Sequence, residues 1–367
     1  MKQNQPIPSE WFSGQTLTFL IDGGLRSFHA LTLFEQLKQQ FDVSLRIRLT
    51  RQTVPYLPLP LLRRFSADIA VAKEKGLIPS DGIGDCLGIL LFHPADTLPT
   101  EFARIERAFD GPVIRCLDGE NAESGHESTV LYTSSWIPFI EQLASFCSRD
   151  RSWEGRRILV TAGPTEESLD PVRILTNRSS GKMGFALARQ ASLRGAEVIL
   201  ITGPVSLDTP AGVRRVDVVS AGEMLEAAED HFASVDVVFA AAAVEDLRPV
   251  RMSDEKIKKG ENISIECENT PDILATLSQK SAGQYLMGFS VETENVIENS
   301  REKLHRKQLD AIVVNNPLEP GAGFRHDTNR VTVITADNGV NQLEKMSKDE
   351  LAVKLLEISG REMSRHE

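Results

Sequence analysis

The chain has 367 residues, enough for two or three domains, and its 41% apolar and 25% charged residues are those of a globular protein. A net charge of −11, spread along the length, excludes a general nucleic-acid or acidic-membrane binder, although local basic clusters can still meet phosphate. No run approaches a membrane span, MKQNQPIPSE lacks the apolar core of a secretory signal, and four scattered cysteines without a CxxC pair point to free thiols in a reducing cytoplasm.

Residues 15 to 147 read as a first α/β block. QTLTFLIDGG and HALTLFEQLKQQ form strand, glycine turn and helix, DVSLRIRLT the next strand, and CLGILLFHP and PVIRCLD later strands. The polar stretch SRDRSWEGR, 148 to 156, marks a boundary and divides the chain into domains over 1–150 and 151–367. In the second block RRILVTAG reads as a strand and residues 184–194, GFALARQASLR, as a helix. AEVILITGP and VRRVDVV are strands, AGEMLEAAEDHF a helix and VDVVFAAAAV a strand. After Asp246 the pattern breaks into the basic stretch DEKIKKGENISIE. It resumes with a helix around TPDILATL, the strand QYLMGFSVE, the charged helix ENVIENSREKLHRKQ and the strand DAIVVNNP. A glycine-rich loop, the strand RVTVIT and a closing helix from about Lys348 complete the chain. This alternation predicts a parallel sheet wrapped by helices, with sites at the carboxyl ends of its strands.

Three stretches carry candidate chemistry. TAGPTEESLDPVRILTNRSSGKMG follows a strand but fits neither common nucleotide template. About twenty residues separate Gly163 from Gly184, no acid ends the next strand, and Lys182 is followed by Met183 rather than Ser or Thr. What remains is a long loop rich in donors, including Arg173, Asn177, Ser179, Ser180 and Lys182, with Gly181 leading into a helix whose N-terminus favours anions. A purely structural glycine loop is the plain alternative. In the second stretch, AAAVEDLRPVRMSDEKIKKG, a strand end of small residues (Ala240, Ala241, Ala242) leaves room for a flat ligand. Asp246 follows, suited to a sugar hydroxyl or a metal. Lys256 sits on a segment that could close as a flap over polyphosphate, although a lone KIKK run is ordinarily a solvated turn. In the third, SREKLHRKQ, Lys303 and Lys307 stand one helical turn apart, which an exposed helix face also explains. The histidines lie in no serine-elbow or HExxH context, so serine acyl transfer and zinc hydrolysis have no support.

TAGPT, LDPVR, TNRSSGKMGFALA, ITGPVSL, AAAVEDLRP, EKIKK, NTPDIL, GFSVET, REKLHRK and GFRHDTN occur in one order from about residue 155 to 360. Together they resemble the phosphopantothenoylcysteine synthetase (phosphopantothenate–cysteine ligase) family of the bacterial coenzyme A pathway. The resemblance implies that the carboxylate of 4′-phosphopantothenate attacks the α-phosphate of a nucleotide, usually CTP, giving an acyl-cytidylate and pyrophosphate. The amine of L-cysteine then displaces CMP. It implies Mg²⁺ on the triphosphate, with the metal's protein ligands unknown, and a homodimer or higher homo-oligomer in the cytoplasm without nucleic acid or membrane. Carried over by position, Asn177 lies near the activated carbonyl and Lys256 neutralises phosphate charge. Ala240, Ala241, Ala242, Asp246, Pro271, Asp272, Ile273, Leu274, Phe289, Lys303 and Lys307 contact the nucleotide. Gly163, Arg173, Ser179, Ser180, Gly181 and Lys182 belong to the substrate loop. Glu166 stands where an arginine is common, and Leu247 where an aromatic residue is common.

In many bacteria this synthetase follows a flavin-dependent decarboxylase, and LIDGGLRSFHALTLFEQLKQQFDVSLRIRLT is similar to that enzyme's opening. The implied architecture is a Rossmann-like parallel-sheet ligase domain behind a smaller flavodoxin- or decarboxylase-like α/β domain. The HI-x-L histidine setting and the PAMN segment are missing. The first block is therefore expected to be a degenerate, non-catalytic domain without FMN, with Gly23 and Gly24 forming a simple turn. A bifunctional synthetase–decarboxylase and a non-catalytic binding or regulatory homologue are the alternatives.

Overall fold

The computed structural model describes residues 15–21, 27–41, 43–55, 57, 59–72, 88–92, 113–118, 129–132, 150–258, 264–292, 294–315, 326–337 and 339–366. The chain falls into two compact units, Met1–Arg149 and Asp150–Glu367. Among the described residues no helix is long and apolar enough to cross a membrane.

The first unit contains β1 (Gln15–Ile21), α1 (Ser27–Gln40), β2 (Val43–Leu49), α2 (Leu59–Leu62), β3 (Asp68–Val71), β4 (Gly88–Phe92), β5 (Val113–Asp118) and β6 (Thr129–Tyr132). All strand pairs are parallel, in the order β3-β2-β1-β4-β5-β6. That is the doubly wound order of dinucleotide folds, in which the sheet reverses direction of growth between β1 and β4. Leu17, Phe19, Leu20 and Ile21 are all fully buried, so β1 reads as an apolar run because both faces of a parallel sheet are covered. Gly23 and Gly24 lie outside the described residues. The pattern of residues did not reveal β3 or β6. Each has four residues, and β3 opens with Asp68, which takes ion pairs from Arg46 and the buried Arg48 at 2.7 Å.

The second unit runs β7 (Arg157–Ala162), β8 (Glu166–Ser168), β9 (Ile174–Thr176), α3 (Lys182–Leu193), β10 (Glu197–Thr202), β11 (Val213–Asp217), α4 (Ala221–Phe232), β12 (Val237–Ala240), β13 (Leu247–Pro249) and β14 (Cys267–Asn269). It continues with α5 (Ile273–Gln279), β15 (Tyr285–Val291), α6 (Val296–Arg306), β16 (Ala311–Asn315), β17 (Thr328–Thr335), β18 (Val340–Ser347) and α7 (Lys348–His366). An eight-stranded sheet has the order β11-β10-β7-β12-β15-β16-β17-β18. It is parallel from β11 to β16, as the alternation predicts, and gains an antiparallel edge of β17 and β18.

Strand alternation divides the core into two layers. Ile158, Val160 and Ala162 face Phe185 and Leu187 of α3 and Leu351 and Leu355 of α7. Leu159 instead joins Met224 of α4, Leu277 of α5 and Leu304 of α6. Gly184 lets α3 approach β7 closely, because a Cβ there would lie 2.5 Å from Ala162 Cβ. Two small antiparallel ribbons, β8–β9 and β13–β14, stand outside the sheet. They follow β7 and β12 and frame the carboxyl ends of the central strands.

Candidate functional site

The carboxyl ends of β7, β12, β15 and β16 open on a cavity of about 760 Å³, within the range of small-molecule sites. Its position is the one expected for an open α/β sheet. Beyond β7 the chain turns at Gly163, whose φ of 74° suits glycine. There its carbonyl accepts from Ala243 N–H at 2.8 Å. Ala241 N–H donates to Thr161 O at 3.1 Å, and Glu245 N–H to Thr165 Oγ1 at 2.8 Å. The alanine run therefore leaves β12 after Ala240 rather than continuing as strand to Val244, yet remains laced to the end of β7. Its small side chains leave the cavity wall close to the backbone.

Asn177 is placed by the same lacing. Its Nδ2 donates to Ala243 O at 3.2 Å and Val244 O at 3.1 Å. Two carbonyl acceptors fix the orientation of the amide, because its oxygen could not replace the nitrogen there. Both amide hydrogens are thus committed, and the Oδ1 acceptor is the atom left for a ligand. Three residues on, Ser180 and Gly181 lead into α3. Gly181, with a φ of 74°, stands at the N-cap and lines the cavity. The helix begins at Lys182, one half-turn earlier than the apolar spacing suggested, and its first-turn N–H groups, which receive no side-chain cap, make the loop end favourable to anions.

Four lysines line the cavity, and carboxylates accompany them. Lys182 pairs with Asp327 at 2.6 Å. Lys303 pairs with Glu292 and donates to Ser290 Oγ at 3.3 Å. Lys307, one residue past α6, pairs with Asp272 at 2.9 Å. Burial works to raise the pKa of Glu292 and of Asp272, but bonds from Lys303 and Lys307 outweigh it and hold both carboxyls below their usual range. Lys348, 7% exposed at the start of α7, is pushed down to about 8 by burial and then by Lys182, with Asp327 opposing.

The cavity brings together Asn177, Ser179, Ser180, Gly181, Lys182, Ala240, Ala241, Ala242, Asp246, Pro271, Asp272, Ile273, Leu274, Phe289, Lys303 and Lys307. Gly163, Arg173 and Lys256 are not part of its lining. Gly163 forms the turn described above, Arg173 pairs with Asp170 at 2.6 Å, and Lys256 is exposed in a segment without helix or strand. Lys258 is likewise exposed, and Lys259 lies outside the described residues. Sequence reasoning missed Thr270, Ser290, Asn315, Asn329 and Lys348 in the cavity wall. Asn315 could have been found from its place at the carboxyl end of β16. Its Oδ1 is buried with no hydrogen-bond partner among the described residues.

The description "DNA/pantothenate metabolism flavoprotein C-terminal domain" names the family whose model matches residues 153–360, more than half of the chain. The chain belongs to this family. The family's domain thus coincides with the unit that carries the cavity. The chain is 44% identical over 206 residues to the coenzyme A biosynthesis bifunctional protein CoaBC of Bacillus subtilis (strain 168), covering 56% of this chain and 51% of that protein. It is 43% identical over 224 residues to a cysteine/cysteine sulfinic acid decarboxylase of an unknown prokaryotic organism, covering 59% and 62%. The crystal structure of the C-terminal domain of a CoaBC protein matches with 41% identity and a TM-score of 0.52, covering 59% of this chain and 99% of that one. The chain thus spans about half to three-fifths of the length of these curated relatives.

Proposed function

We propose that this chain joins 4′-phosphopantothenate to L-cysteine at the expense of a nucleoside triphosphate, CTP in first place, as a step in coenzyme A assembly. The observation that carries this reading is the convergence of Asn177, the alanine strand end, Lys303 and Lys307 on one cavity. It occurs in a chain 41% identical to the C-terminal domain of a CoaBC protein. A carboxylate is already a nucleophile, so the chemistry needs positioning and charge stabilisation rather than a catalytic triad. In the first step the pantothenate carboxylate attacks the α-phosphate and pyrophosphate leaves. In the second, the cysteine amine attacks the acyl carbon, CMP leaves and the amine loses a proton.

The residues suit these steps in distinct ways. The Asn177 Oδ1 is an acceptor and can hold an N–H of the attacking amine. Lys303, Lys307 and the N-terminus of α3 can hold phosphate oxygens, and Lys256 supplies a further cation as charge develops. The orphan Asn315 Oδ1 fits an exocyclic amino group, which cytosine and adenine both carry. Among the described residues no group of three or more His, Cys, Asp or Glu could hold a metal. On this reading Mg²⁺ would arrive with the substrate triphosphate, Asp246 could stand beside it, and the ion would offset phosphate charge. Exposed Val172, Ile174, Leu247, Val250 and Met252 lie on or beside the two ribbons, β8 and β13 of which touch, and support assembly into a homodimer. The first unit is a degenerate decarboxylase-like domain without FMN, and the protein works in the cytoplasm.

Steady pyrophosphate release by the full chain, requiring phosphopantothenate, cysteine and nucleotide together, is the expected result. No release with either CTP or ATP would overturn the proposal. One relative's name motivates a second reading, decarboxylation of cysteine, which CO₂ release without nucleotide would carry. The absence of absorbance near about 450 nm is expected for the purified protein, and a flavin band there would overturn the degenerate assignment.

A further inference from the structure

Lys256 lies on a segment with neither helix nor strand, yet one buried carboxylate ties that segment down. Asp170 sits in the turn between β8 and β9 and is 2% exposed. Its Oδ1 accepts from the N–H groups of Val172 at 2.8 Å and Arg173 at 2.9 Å. Its Oδ2 accepts from Arg173 Nη1 at 2.6 Å and from the N–H of Ile257 at 3.0 Å. The same Nη1 donates to Ile257 O at 2.9 Å, so the peptide groups on both sides of Ile257 are gripped. A second tie, Ser253 N–H to Leu169 O at 3.0 Å, secures the other end. Lys256 is therefore held between two anchors on one turn while its side chain remains exposed. The opposite end of that hairpin, β9, runs directly into Asn177.

We propose that Asp170 is a positioning residue: by holding the Ile257 peptide it places Lys256 for neutralising nucleotide charge, on the same hairpin that delivers Asn177. This rests on the ligase reading above. The arrangement gives a role to a buried carboxylate in a turn that contributes no side chain of its own to the cavity. Burial opposes ionisation of Asp170, but N–H groups of Ile257, Val172 and Arg173, and then the guanidinium, outweigh it and bring its pKa to about 2. The tie is thus present at every pH at which turnover would be measured. A lysine on a free segment would have to be ordered during the reaction, whereas one anchored on both sides is largely in place beforehand.

Asp170→Asn tests the idea. Asparagine keeps an oxygen for Val172 and Arg173 but turns an NH₂ group toward Ile257 N–H and the guanidinium, setting donors against donors. The expected result is a fall of about 10²-fold in kcat for pyrophosphate release, with the KM for cysteine unchanged. Amide exchange is expected to quicken across residues 253–258 and to stay as in wild type along β7 and β12. In a Lys256→Gln background, Asp170→Asn should cause no further fall, because it acts through Lys256. An equal fall in both backgrounds, or unchanged exchange at 253–258, would overturn the proposal. Should Asp170→Asn fail to fold, Ile257→Pro removes the donor from the segment's side, and the same kinetic and exchange results are expected. A wild-type chain that releases no pyrophosphate would overturn the ligase reading itself, which the exchange measurement separates from failure of the tie.

Discussion

The lysines of the cavity wall and the lysine of the 253–258 segment are mounted in opposite ways. Lys303 and Lys307 stand at the end of a packed helix, each against a carboxylate. Lys256 has an exposed side chain with no ion pair among the described residues, and the restraint falls on the peptides beside it. On the proposed ligase reading, a wall lysine already paired with a carboxylate must share or exchange that partner when phosphate arrives, so its net gain is modest and uniform along the reaction. An unpaired lysine on an anchored segment exchanges only water, and its gain can grow as charge develops. The contrast predicts that wall lysines govern affinity and the segment lysine governs rate.

Lys256→Gln should produce the largest effect. Glutamine keeps most of the side-chain length and removes the charge. Pyrophosphate release is expected to fall about 10²- to 10³-fold in kcat, with the nucleotide KM within a few-fold of wild type. Steady-state kinetics with varied nucleotide checks this. A rise in KM at unchanged kcat would place Lys256 with the wall lysines and erase the contrast.

Lys348 is a third kind, a wall lysine held by burial. Its pKa of about 8 lies below that of an ordinary lysine, about 10.4. Between those values the unfolded chain binds a proton that the folded chain does not, so stability from this group rises with pH across that window. Below about pH 8 both states are protonated and the full cost of burying the charge remains. Lys348→Met is therefore expected to stabilise the ligand-free protein at pH 7 by up to about 3 kcal/mol. The gain should shrink between about pH 8 and 10.4, which urea unfolding at pH 7 and pH 10 would read. A gain that persists at pH 10 would mean the cost is packing rather than charge.

These differences explain what could be read from the residues alone. The central strands were legible because parallel strands buried on both faces are continuous apolar runs, as in β10 and β15. Asn177, the alanines and the Lys303–Lys307 pair were legible because their motifs lie in one order and the cavity collects them. The ribbons were not, since three-residue strands such as β8 and β9 carry no period. β18 was hidden by its polar, edge-strand composition, VNQLEKMS. Lys348 looked like an ordinary first-turn residue, and its burial at the cavity wall is a product of tertiary packing. The Asp170 tie joins residues 87 apart in sequence through a backbone N–H, which no side-chain pattern encodes.

The smallest expected effect refines what the wall carboxylates do. Asp272 caps α5 by accepting from Ala275 N–H at 3.1 Å and also pairs with Lys307 at 2.9 Å. Asp272→Asn separates these roles, because asparagine caps a helix about as well as aspartate but carries no charge. The side chains of Lys307 and Asp272 are 22% and 47% exposed, so their pairing stabilises the fold by at most about 1 kcal/mol. The folded-state pKa of Asp272 is lowered against the pull of burial by Lys307 and Ala275. Its contribution is therefore present above the unfolded value and lost as pH falls through the lowered one, which leaves the pair intact at neutral pH. Freed from that partner, Lys307 should bind nucleotide more tightly, lowering the KM by about two- to fivefold with kcat unchanged. A higher KM would instead mean that the carboxylate aims Lys307, and the distinction between wall and segment would then be one of which group does the aiming: a side-chain carboxylate in the wall, the backbone in the segment.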